Sequence, residues 1–218
     1  MKDVTVVWDW NGTLLDDVAL NCAIMNRMLR RRGKPPIPSL EVYRQIFGFP
    51  IVGYYQRAGF DFATEDYETV ADEYMALYRR DSMECRLFPG VREALFKLRR
   101  RGVRQVILSA SQQDCLMEQL SYLDIGASFD EVLALHHCLA HSKAELAEEW
   151  MKASHLSGDK LLFVGDTLHD FEVSKRLGAS CILVAAGHQN KERLLTCGCP
   201  VVDSIGDVVQ LIEKMIAR

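Results

Sequence analysis

The chain has 218 residues, 49% of them hydrophobic and 26% charged, with a formal net charge of −4. That balance fits one globular unit, or one with an insertion, able to bury a full core. It excludes the basic footprint of a nucleic-acid binder, and no apolar run is long enough to span a bilayer.

The first apolar run, Val4-Thr5-Val6-Val7-Trp8, ends on Asp9, and Trp10-Asn11-Gly12-Thr13-Leu14 follows at once. This layout predicts a carboxylate at the carboxyl end of a buried strand, where open α/β sheets keep their chemistry. No secretory apolar segment precedes it. From about residue 18 to about residue 88 the pattern is helical, with no convincing strand. Residues 19–32 carry Ile24, Met28 and Leu29 at helical spacing, and Gly33-Lys34-Pro35-Pro36 stops them. The basic run Arg30-Arg31-Arg32 at that end complements the helix dipole. Ser39 is a suitable N-cap for a helix over 40–47, and 67–78 reads as another amphipathic helix. At Phe88-Pro89-Gly90 an alternation begins. Helices are expected over 91–101, 112–123, 142–153, 171–177 and 205–216. Apolar runs lie at 103–108, 131–135, 161–164 and 181–184, with a short edge strand at 201–202.

Strands apolar on both faces, alternating with helices, predict a parallel sheet covered on both sides. The fold expected is α/β, with residues 1–17 and 88–218 as the core and residues 18–87 as an inserted all-helical cap domain. The seven cysteines, Cys22, Cys85, Cys115, Cys138, Cys181, Cys197 and Cys199, are odd in number and scattered. That argues for a reducing, cytoplasmic setting rather than a disulfide framework. Cys197-Gly198-Cys199 has no second ligand pair at zinc spacing and reads as a turn.

In a parallel sheet all carboxyl ends share one edge, so Asp9, Ser109, Asp166 and Asp170 converge there, and Lys143 joins from its loop. Each residue alone has an ordinary reading, as a turn former, a cap or a solvated lysine. Together they have one chemistry. Three close carboxylates repel and raise each other's pKa, and Mg²⁺, which takes oxygen ligands, relieves that. Asp9 is then the nucleophile toward phosphorus, with Asp166 and Asp170 at the metal. Ser109 and Lys143 bind the transferring phosphoryl group. Ser142-Lys143-Ala144-Glu145 has the form of a capping box, and a lysine in a first helical turn opposes the dipole. A residue in so unfavourable a place calls for a functional reason.

These residues resemble the motifs of the haloacid dehalogenase-like hydrolases, in the branch with a helical cap after the first strand. The likeness rests on Asp9-Trp10-Asn11-Gly12-Thr13-Leu14, Ser109, Lys143 and Gly165-Asp166-Thr167-Leu168-His169-Asp170, with Leu87-Phe88-Pro89-Gly90-Val91 as the return to the core. It covers essentially the whole chain and is nearest to phosphoglycolate-phosphatase-like members. The resemblance implies a Rossmann-like core, Mg²⁺, and hydrolysis of a small phosphorylated metabolite by a monomer or homodimer. No nucleic acid or membrane partner is expected.

The chain departs from the family at Asn11. Family phosphatases carry aspartate there, with its backbone carbonyl on Mg²⁺ and its side chain as general acid, then base. Asparagine keeps the carbonyl and can donate a hydrogen bond, but it cannot release and retrieve a proton at neutral pH. Losing such assistance costs about 10²–10⁴ in rate. The expectation is slow hydrolysis, or preference for leaving groups that need no proton. The alternative is a non-catalytic, phosphate-ligand-binding or regulatory protein. On this reading Asn11→Asp raises turnover. Two further alternatives are weaker: a receiver domain has no inserted helical block, and dehalogenation needs no metal site. The cap residues Phe47, Phe49, Tyr54, Tyr55 and Arg57, and the loop residue His188, are candidates without an assigned role.

Overall fold

The computed structural model describes residues 4–135 and 142–216. Cys138 lies outside the described residues. In chain order the elements are β1 (Thr5–Trp8), β2 (Leu15–Asp16), α1 (Val18–Arg31), α2 (Leu40–Ile46), α3 (Ile51–Ala58), α4 (Tyr67–Asp81), β3 (Arg86–Leu87) and α5 (Val91–Arg100). They continue with β4 (Arg104–Gln112), α6 (Gln113–Tyr122), β5 (Glu131–Leu135), α7 (Lys143–Ala153), β6 (Leu161–Gly165), α8 (Leu168–Arg176), β7 (Ser180–Val184), α9 (Lys191–Leu194), β8 (Val201–Val202) and α10 (Ile205–Ile216).

Six strands form one sheet in the order β5-β4-β1-β6-β7-β8, and every pair in it is parallel. The period of two along each strand sorts side chains between two cores. Val6 and Trp8 of β1, with Val4 just before it, join Leu162 and Val164 on one face, under α5, α6 and α10. Val7 joins Leu161 and Phe163 on the other, with Ala147 and Trp150 of α7 and Val173 of α8. Burial on both faces explains why β1 and β6 read as unbroken apolar runs.

β1 sits at the centre, with β4 on one side and β6 on the other. The chain turns outward in opposite directions from it, which makes its carboxyl end a topological switch point. Register pairs Trp8 with Ile107 and with Val164. Asp9 therefore emerges beside the ends of both neighbours, and its N–H donates to the Val164 carbonyl at 2.8 Å. Trp10 is fully buried, and its indole N–H donates to Gln119 Oε1 at 2.7 Å, which fixes the turn between Asp9 and Asn11.

Helices α1 to α4 lie between β2 and β3 and share an apolar cluster built on Met25, Met28, Tyr43, Tyr54, Val70 and Tyr78. The helix over Ile51–Ala58 was not expected. Pro50 precedes it and Gly53 interrupts it, which hid its short amphipathic face. The two-residue strand β3, antiparallel to β2, corrects the expectation of no strand between about residues 18 and 88. Phe47, Tyr54 and Tyr55 are buried in this cluster. None of the described helices is long and apolar enough to cross a membrane.

Candidate active site

The carboxyl ends of β1 and β6 bring Asp9, Asp166 and Asp170 together, each with an oxygen within 4.8 Å of the others. Lys143, the first residue of α7, is buried rather than solvated. Its Nζ donates to Asp9 Oδ1 at 2.5 Å and to Asp170 Oδ1 at 2.6 Å. The helix start that carries it is fixed by the capping box of Ser142 and Glu145. Asp170 also closes a second capping box. Its Oδ2 accepts from the Thr167 N–H at 3.0 Å and from the Thr167 hydroxyl at 2.7 Å. That box starts α8 at Leu168, three residues ahead of the helix expected from periodicity.

Asp166 accepts from the His188 N–H at 2.6 Å and the Thr13 hydroxyl at 3.1 Å. Such close backbone approach needs glycine. A Cβ at Gly187 would stand 2.1 Å from Asp166 Oδ2, and one at Gly12, where φ is +73°, would stand 2.4 Å from it. Ser109 is buried at the edge beside Asp9, and its Oγ accepts from the Ser111 N–H at 3.0 Å. That partner is a local turn, not a member of the acid cluster.

Burial sets the electrostatics. It pushes Asp9 up to about 6, against Lys143, and Asp166 up to about 7, against His188. Asp170 is also buried, yet Lys143 holds it below the usual carboxylate range. Against its own burial, Lys143 is held charged by Asp170 and Asp9. Lys143 thus serves Asp9 and Asp170, while Asp166 faces His188. The remaining negative charge, offered by hard oxygen donors in a confined space, suits a divalent cation such as Mg²⁺.

Asn11 occupies a network of its own. Its Nδ2 donates to Asp17 Oδ2 at 2.8 Å and to the Tyr78 hydroxyl at 2.6 Å, while its Oδ1 accepts from the Ser111 hydroxyl at 2.5 Å. A carboxylate only accepts, so the NH₂ side must face Asp17. Both amide hydrogens are then committed. In this arrangement both N–H groups of the amide have partners within the protein.

Asp17 is the residue that sequence reasoning missed. It is buried, and donors converge on it from Gly12 N–H at 3.0 Å, Asn21 Nδ2 at 2.8 Å, Tyr78 at 2.8 Å and His188 Nε2 at 3.2 Å, besides Asn11. Against burial, His188, Asn11 and Tyr78 hold it below the usual carboxylate range. Asp17 in turn raises His188 to about 9, again against burial. The imidazolium Nδ1–H then faces the Tyr43 hydroxyl at 2.7 Å. In the sequence Asp17 looks like an ordinary residue ahead of α1, and indeed it takes the N-cap position without a side-chain cap bond.

The helical block docks on the core over this site. Arg44 donates to the carbonyls of Gly187 at 2.9 Å and Ala186 at 3.1 Å. Arg193 returns the contact, donating to the carbonyls of Arg44 at 3.0 Å, Gln45 at 3.0 Å and Phe47 at 2.5 Å. These carbonyls end α2 and have no partner within it. The Phe47 ring stacks on His188 at 4.6 Å between centroids, and the Phe49 ring on His169 at 4.4 Å. Arg57 instead donates to the Ile46 carbonyl within its own block.

A parallel sheet with a helical insertion after its first strand, and an acid cluster with a buried lysine at the switch point, define an α/β enzyme with its site at the carboxyl edge of the sheet. Residues 6–184 match the haloacid dehalogenase-like hydrolases, and the chain belongs to that family. Among its relatives is a phosphoglycolate phosphatase of Pseudomonas putida, 28% identical over 194 residues, covering 85% of this chain and 70% of the relative. Another, from Synechococcus elongatus, is 24% identical over 223 residues and covers 98% of this chain and 99% of its own. Two solved structures share the fold. A haloacid dehalogenase-like family hydrolase from Streptococcus pneumoniae has a TM-score of 0.83 at 18% identity, covering 97% of this chain and 100% of its own. A hydrolase from Pseudomonas syringae has a TM-score of 0.75 at 18% identity, covering 97% and 98%.

Proposed function

We propose that this hydrolase is a Mg²⁺-dependent phosphatase of small phosphorylated metabolites, working in the cytoplasm through an aspartyl phosphate on Asp9. Residues 1–17 and 88–218 serve as its catalytic core and residues 18–87 as the cap that excludes water. The observation that carries the reading is the meeting of Asp9, Asp166 and Asp170, with Lys143 bonded to Asp9 and Asp170. Asp9, Asp166, Asp170 and the Asn11 backbone carbonyl would hold the cation. Bound there, it supplies charge neutralisation for the phosphoryl oxygens. Asp9 supplies the attacking oxygen, and Lys143 steers that carboxylate and faces charge that grows on phosphorus. Ser109, at the same edge, would take a phosphoryl oxygen once its hydroxyl turns from Ser111.

With both Asn11 hydrogens committed, the favoured substrates are those whose leaving oxygen needs no proton, namely acyl and aryl phosphates. The test is turnover of acetyl phosphate, p-nitrophenyl phosphate, 2-phosphoglycolate and a simple alkyl phosphate, with Mg²⁺ and with chelator. Expected is Mg²⁺-dependent release of phosphate, with the alkyl ester slowest by about 10²-fold or more. Absence of turnover on all four, with saturable phosphate binding, would replace this reading by the ligand-binding one.

A pH prediction follows from the buried acids. In metal-free protein Asp9 and Asp166 hold protons at about 6 and about 7, where the unfolded chain has lost them near 3.8. The folded state binds more protons across that window, so stability falls as pH rises through it. His188 acts in the same direction at higher pH. Its contribution is complete below 6.5 and disappears as pH rises through about 9. Mg²⁺ competes with those protons. At a hundredfold excess over Kd it should stabilise by about 2.7 kcal/mol. Thermal melts should show a larger Mg²⁺ shift at pH 8 than at pH 5.5; equal shifts would count against the acids as ligands.

A further inference from the structure

Away from the catalytic edge, three cysteines meet beside the last strand pair. Cys181 lies buried on β7, and the segment after α9 carries Cys197 and Cys199. Between them Gly198 takes the left-handed conformation, φ +78° and ψ 8°. That bend, open to glycine at little cost, brings the Cys197 and Cys199 sulfurs to 3.3 Å. A disulfide bond is about 2.05 Å long, so the two sulfurs lie within about 1.3 Å of bonding distance. Cys197 and Cys199 are both partly exposed, between exposed Thr196 and Pro200. Cys22 and Cys115, by contrast, are buried.

The two sulfurs are not equivalent. The Cys197 S–H donates to the Leu194 carbonyl at 2.9 Å, which keeps its proton in place. Burial also pushes that thiol up. Hydrogen bonding from Cys181 brings Cys199 down to about 6. One partner is thus poised as the attacking thiolate and the other as the resolving thiol.

We propose that Cys197 and Cys199 form a redox-active dithiol, oxidised to a disulfide within the loop by small-molecule disulfides. The Cys199 thiolate attacks one sulfur of RS–SR, forms a Cys199–SR bond and releases RS⁻, which takes a proton from water. The Cys197 thiol gives its proton to solvent, and its sulfur attacks the Cys199 sulfur. The second RS⁻ departs and is protonated. Two protein thiols are oxidised to one disulfide, and one disulfide is reduced to two thiols.

The test uses the whole protein and oxidised glutathione, followed by alkylation with iodoacetamide and trypsin. Cleavage after Arg193 and Lys214 places both cysteines in the peptide 194–214, while Cys181 falls in 177–191. Expected is complete loss of both alkyl groups from 194–214, a mass lower by two hydrogens than the reduced peptide, and full reversal by dithiothreitol. Cys197→Ser should instead retain glutathione on Cys199. Two alkylated thiols in the treated wild-type peptide would overturn the proposal. So would a cross-link joining 194–214 to 177–191, because it would make Cys181 the partner.

Discussion

Asp9→Asn is expected to lower phosphate-ester turnover by about 10⁴-fold or more, in line with loss of a nucleophile that acts in concert with its neighbours. The substitution is nearly isosteric, and Lys143 keeps its bond to Asp170 at 2.6 Å, so the fold has no reason to fail. The reverse is expected for stability. Asp9 is an acid raised by burial to about 6. Removing its charge should stabilise metal-free protein at pH 8 by about 2–3 kcal/mol, from about 1.4 kcal/mol per pKa unit. Steady-state kinetics and thermal melts on one preparation check both halves. A variant that keeps turnover within tenfold of wild type would remove Asp9 from the chemistry.

The second expected result concerns the pair Asn11 and Asp17. Sequence reasoning expects Asn11→Asp to restore the family's acid and raise turnover. The structure sets Asp17 Oδ2 2.8 Å from the nitrogen that such a variant would replace with oxygen. Two carboxyl groups would then share a buried site and a proton, at a cost of about 3 kcal/mol. The single variant should therefore lose stability and gain no activity. Asn11→Asp combined with Asp17→Asn restores an amide facing an acid. It should raise kcat on an alkyl phosphate by at least about tenfold, toward the 10²–10⁴ that acid–base assistance supplies. If the single variant gains as much as the double, Asp17 does not hold Asn11 in its present role.

Sheet and acid edge were legible because they rest on strong local patterns. Runs buried on both faces, such as 161–164, announce strands without help from distant residues, and parallel pairing then places Asp9 and Asp166 side by side. What stayed hidden depends on contacts between distant segments. Asp17 follows Asp16, and nothing local says that the first is exposed and the second buried among donors from Asn21, Tyr78 and His188. Likewise His188 sits in a loop whose polarity predicts solvent, yet it is held under the Tyr43 hydroxyl and the Phe47 ring. Asp170 shows a different difficulty. It both joins the acid cluster and caps α8, and its chemical reading hid its structural one.

The last turn of α2 is stopped by a guanidinium borrowed from the other half of the molecule. Most helices end on a glycine or on solvent. Here, swinging the helix outward strips carbonyls at residues 44, 45 and 47 of their donor, and only incoming solvent can replace it. Under the proposed function, uncovering the site and wetting that helix terminus would be a single event, so hydration would accompany departure of product.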